Sequence, residues 1–129
     1  MEVLYVTIDE AYAVHERMVE IGGGRARVRD FTLLHSAVER PKATFGGYDM
    51  YKTIWSKAAA LMHSLIMNHP LSDGNKRTGY FSTHLFLRKN GYDLIAEKNE
   101  LISFCLRVDN EGLTVEQIAS WLKNHSAYL

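Results

Sequence analysis

From Ile54 to Ile66 the apolar residues Ile54, Trp55, Ala58, Leu61, Met62, Leu65 and Ile66 recur at three- and four-residue spacing. A stripe this dense must lie against other elements, on a helix predicted over 53–68 and about four turns long. A second apolar segment follows over 75–90, where Tyr80, Phe81, Leu85, Phe86 and Leu87 are expected to wrap most of the circumference. The chain is thus predicted to fold around two consecutive buried helices. The eleven residues between and into them, HPLSDGNKRTG (69–79), carry a histidine, an acid, a turn and two adjacent cations.

The remaining chain reads as further helix. Thr7 is predicted to cap a helix with Asp9 and Glu10 in its first turn and Ala11, Val14, Met18 and Ile21 on its inner face. Gly22–Gly24 stop it, and Arg25, Arg27 and Arg29 follow in a loop. Asp30 is predicted to cap a second helix carrying Phe31, Leu34 and Val38, which ends before Pro41. Gly46 and Gly47 between aromatics suit a tight hairpin turn. Leu101, Ile102, Cys105 and Leu106 mark another helix, and Thr114 opens the last with a capping box to Gln117. The expected class is all-α: a compact bundle of five or six helices with a possible small β-hairpin.

A chain of 129 residues with 47% hydrophobic content suits one globular domain, 1–129, without repeats or linkers. Fifteen cations balance fifteen acids, so no general basic field attracts nucleic acid. The final helix carries only Lys123 as a firm cation, which also argues against DNA binding. No apolar run reaches membrane-spanning length. The first twenty residues hold five acids and no cationic segment, and Cys105 is the one cysteine. Both features lead to the expectation of a cytoplasmic protein without a signal peptide. Cys105 reads as a small core residue.

The eleven residues lie in a helix–loop–helix, so the free N–H groups of the second helix form an anion site. Gly74 allows close backbone approach and Asn75 suits the turn into the helix. Lys76 and Arg77 oppose the helix dipole at a cost of up to about 1 kcal/mol. An anion such as phosphate removes that conflict, and Arg77 can grip two oxygens of it. Asp73 at the lip would repel phosphate unless a metal bridges them, so it reads as a magnesium ligand. His69 is a competent proton acceptor near neutral pH. Base, metal ligand and phosphate cradle together describe phosphoryl or nucleotidyl transfer. His15, His35, His63, His84 and His125 show no zinc-like pairing, with His84 a candidate core histidine. Neither standard glycine-rich nucleotide fingerprint is present.

The segment His69-Pro-Leu-Ser-Asp-Gly-Asn-Lys-Arg77 resembles the Fic/Doc family motif H-x-F-x-(D/E)-(G/A)-N-(G/K)-R, closest to the death-on-curing (Doc) branch. ERPKATFGGYD and FLRKNGYDL also look like phrases of that branch. The resemblance implies a Fic/Doc helical fold using ATP and Mg2+. It casts His69 as the catalytic base and Asp73 as the magnesium ligand. Gly74, Asn75, Lys76 and Arg77 would bind the nucleotide phosphates. Phe45, Gly46, Gly47 and Tyr48 would form a flap that aligns the target by strand-like pairing. Lys76 stands where AMP-transferring members usually carry Gly, which implies transfer of the γ-phosphate instead. Tyr80 replaces a second arginine, again as in Doc proteins. Leu71 stands for the usual Phe, and Gly74 matches the Fic form where the best-known Doc pattern has Ala. The chain lacks an (S/T)-x-x-x-E-(G/N) inhibitory motif, which implies restraint by a separate antitoxin protein. The implied activity is that of a toxin kinase acting on a protein hydroxyl, with a translation elongation factor as the expected target. AMP transfer and an inactive binding module are the alternatives.

Overall fold

Helix starts dominate the local architecture of the computed structural model, which describes residues 2–129. α1 (Ile8–Gly22) begins at Thr7 and α3 (Ile54–Met67) at Thr53, each with a reciprocal capping box. Between them α2 (Phe31–Glu39) begins at Asp30, whose carboxylate accepts the N–H of Leu33. A 3₁₀ turn, Arg40–Lys42, and a hairpin of β1 (Thr44–Phe45) and β2 (Tyr48–Asp49) lead into α3. Then come α4 (Asn75–Lys89), β3 (Tyr92–Leu94), α5 (Lys98–Glu111), α6 (Val115–Asn124) and β4 (Ser126–Tyr128). The six helices agree with the all-α expectation, and the capping box of α6 forms between Thr114 and Gln117. No helix among the described residues is long and apolar enough to cross a membrane.

α3 is the central element. Its residues from Lys57 to Ile66 are buried except His63, and it packs against α2, α4, α5 and α6. Ala58, Ala59 and Ala60 keep its neighbours close. Leu61, Met62, Leu65 and Ile66, each at most 1% exposed, fill the interior. Full burial of side chains this size contributes roughly 1.5–3 kcal/mol each.

Two sequence-based expectations, for α4 and α1, are corrected by the packing. α4 is not apolar all round: Phe81 is 41% exposed, and its buried face is built from Thr78, Gly79, Ser82 and Thr83 beside Tyr80, Phe86 and Leu87. Small residues win there because α3 comes so near that a Cβ on Gly79 would stand 2.9 Å from Ile66 Cγ1. On α1 the inner face is Ala11, His15, Met18 and Val19, and Ile21 is exposed. His15 turns inward because its Nδ1 meets Thr78 Oγ1 at 3.4 Å. On α5 the buried residues are Phe104, Cys105 and Val108, whereas Ile102 and Leu106 face outward. Cys105 is core, as expected, and burial pushes its thiol up to about 11.

The pairing of β3 with β4 was not legible locally. It joins Tyr92 to Tyr128 and Leu94 to Ser126, across the whole of α5 and α6. His84 is half-buried, with Nε2 3.8 Å from Asp93 Oδ1.

Burial holds the imidazoles of His15, His63 and His84 below their ordinary 6.5; Arg40 adds to the effect on His63, while Asp93 opposes it on His84. As pH falls below 6.5 the unfolded chain takes up protons that the native chain refuses. Their contribution to stability is therefore full above 6.5 and is lost through the window below it. A thermal melt is expected to show a lower Tm at pH 5.5 than at pH 7.5.

Candidate active site

α4 starts without a side-chain cap. Its N-cap is Gly74, at φ 75° and ψ 25°, a left-handed conformation that favours glycine. The first-turn N–H groups of α4 are thus left to solvent, beside the loop that carries His69 and Asp73.

The loop is held by a segment that the sequence reading placed only as a loop. Arg29 donates from Nε to His69 O at 2.7 Å and from Nη2 to Asn68 O at 3.1 Å, a cation at the C-terminal end of α3. The N–H groups of Arg29 and Asp30 both donate to Pro70 O, and Ser72 N donates to Arg27 O. Val28 and Leu71 form a one-pair β-bridge. Leu71 is 1% exposed and plugs the loop into the core. Asn75 braces it from the other side: Oδ1 accepts from Leu71 N at 3.0 Å, and Nδ2 donates to Leu71 O at 2.9 Å. Clamped in this way, His69 sits at φ 48°, the one positive φ of a non-glycine residue among those described. A left-handed side-chain residue costs about 1–2 kcal/mol, which the surrounding bonds offset.

The other candidates take separate places. Asp73 Oδ2 accepts from Arg25 N at 2.9 Å, leaving Oδ1 without a partner among the described residues. Arg77 lies on the C-terminal end of α1, donating to Met18 O at 2.8 Å and to Gly23 O at 3.2 Å. A Cβ on Gly22 would stand 1.3 Å from Arg77 Nη1, so glycine there makes the seat for the guanidinium. Lys76 reaches the other way, to Asp109 on α5: Nζ lies 3.0 Å from Oδ2. The second Asp109 oxygen is 3.7 Å from His69 Nε2. Asp109 and Arg29 carry no local signal in the sequence, because each acquires its role only when distant elements dock.

Among the described residues no hydrogen bond or ion pair joins the hairpin to the loop. Its turn uses Gly46 at φ 60° and Gly47 at φ 82°, the two positive values of a primed turn. Phe45 and Tyr48 are 80% and 76% exposed. Its base is fixed by Lys57, whose buried ammonium meets Asp49 Oδ2 at 3.1 Å and the carbonyl of Tyr51. Arg40 reinforces it by donating to Tyr51 Oη and contacting His63 and Ser64. Lys57→Met is expected to raise the amide-exchange rate of Met50, which bonds to Ala43 O, by at least roughly tenfold. Asp49 is 57% exposed and stays solvated, so global stability should fall by no more than about 1–2 kcal/mol.

The helical fold thus gathers His69, Asp73 and the uncapped N-terminus of α4 on one short loop. The chain belongs to the Fic/DOC family, whose family model matches residues 5–87, more than half of its length. It is 52% identical to Toxin Doc of Mycolicibacterium smegmatis over 75 residues, a match that spans 58% of each chain. It is 24% identical to Protein kinase doc of Escherichia phage P1 over 119 residues, covering 92% of this chain and 93% of that one.

Proposed function

We propose that this chain is a Doc-type toxin that transfers the γ-phosphate of ATP to a hydroxyl of a target protein. The target class is a translation elongation factor in the cytoplasm, and a separate antitoxin restrains the enzyme. The observation that carries the reading is the run from His69 to Arg77 laid across the uncapped N-terminus of α4. The names of the two relatives, a toxin and a protein kinase, support it.

In this reading the target hydroxyl oxygen bonds to the γ-phosphorus, the bond to the ADP oxygen breaks, and His69 takes the hydroxyl proton. The backbone N–H groups of Gly74, Asn75 and Lys76 receive phosphate oxygens, while the Asn75 side chain keeps the loop in shape. Lys76 and Arg77 neutralise charge, Arg77 from its seat on α1. The free Oδ1 of Asp73 fits Mg2+, which takes one or two carboxylates and fills its shell with phosphate oxygens and water. When bound, that ion supplies charge neutralisation on the phosphates. Phe45, Gly46, Gly47 and Tyr48 present open strand edges that align the target segment.

Calorimetric titration with ATP tests the nucleotide site. Binding is expected with magnesium and is expected to weaken at least roughly tenfold in Asp73→Ala. Failure to bind, or binding indifferent to both magnesium and Asp73, would overturn the assignment.

A further inference from the structure

α5 brings one acid to the mouth of the loop. Asp109 offers one oxygen to Lys76 at 3.0 Å and the other to His69 at 3.7 Å. Its side chain is 21% exposed, against 48% for His69 and 39% for Lys76. The loop does not need this acid for its own shape, because Arg29, Asn75 and the Val28–Leu71 bridge already hold it. A carboxylate here also works against nucleotide binding: its field repels a polyphosphate, and it occupies a cation that phosphate would use. Its favourable effect falls on the base. A neighbouring carboxylate stabilises the imidazolium that forms as the histidine takes a proton. Lys76 is pinned to the other oxygen of the same group.

We propose that Asp109 is a positioning residue for the transfer step, holding Lys76 at the mouth of the loop and supporting His69 as it accepts the proton. The inference rests on the phosphoryl-transfer reading above. It has two opposed consequences: Asp109 weakens ATP binding and accelerates the step that follows. A residue with a merely structural role would move both in the same direction.

The test pairs two readouts on the whole protein. The first is the Kd for ATP with magnesium, by calorimetry. The second is the His69-dependent rate of label incorporation from γ-labelled ATP into a bacterial lysate, at saturating ATP. Asp109→Asn is expected to bind ATP roughly three- to tenfold more tightly and to label roughly tenfold more slowly. Asp109→Ser, without an amide to replace the carboxylate, is expected to show the same opposed shifts. Asp109→Glu keeps the charge and should hold both values within about threefold of the parent. Unchanged values in Asn and Ser variants, or affinity and rate falling together, would overturn the role of Asp109 alone. A parent protein that binds no ATP would overturn the transfer reading, and this inference with it.

Discussion

Replacing His69 by alanine is expected to slow target labelling by roughly 10²–10⁴-fold, the range supplied by a positioned general base. The fold should survive, because the side chain is 48% exposed and the loop is held through backbone groups. His69→Gly adds a second reading of the same position. At φ 48° a glycine is relieved of strain worth about 1–2 kcal/mol, which roughly offsets the backbone entropy it adds to the unfolded chain. Glycine should therefore match or exceed the parent Tm while being as inactive as alanine. A strained residue that lowers activity but not stability when relaxed is the signature of a functional position. Full activity in either variant would remove His69 from the chemistry.

Asn75→Ala should have the next largest effect, through the loop. The substitution leaves both the N–H and the C=O of Leu71 without their side-chain partner, beneath a residue only 1% exposed. Unpaired buried polar groups cost about 1–3 kcal/mol each. A loss of about 2 kcal/mol in all corresponds to a Tm lower by about 5–10 °C in a domain of this size. Labelling should fall at least roughly a hundredfold, because His69 and Asp73 lose their placement. Asn75→Asp, which keeps the acceptor for Leu71 N–H but loses the donor, should fall between. If Asn75 served only as a direct phosphate contact, activity would vanish with the Tm unchanged. A thermal melt beside the labelling assay therefore separates the two roles.

Much of this was legible before any coordinates, and the exceptions share a physical cause. Caps at Thr7, Asp30 and Thr114 are local, and each forms as the sequence implies. The paired glycines at 46 and 47 likewise encode their turn locally. The inner face of α1 was misjudged because a histidine counts as polar in a periodic pattern. Its burial depends on a threonine 63 positions away. Phe81 was misjudged because apolar content does not say which side of a helix meets its neighbour, and α3 selects the glycine side. The site shows the same division. The run from His69 to Arg77 can be read in order along the chain. The supports of that run cannot, since the Gly22 seat, Arg29 and Asp109 come from the end of α1, from the connection between α1 and α2, and from α5.

The most direct test of the central claim is a paired-label transfer assay. Purified protein, magnesium and a bacterial lysate are incubated with γ-labelled ATP and, separately, with α-labelled ATP, with His69→Ala as the control. A His69-dependent protein band carrying only the γ label is the result expected here. A His69-dependent band carrying the α label would contradict it, showing AMP transfer with Lys76 in place. No His69-dependent band with either label would contradict the enzyme reading as a whole.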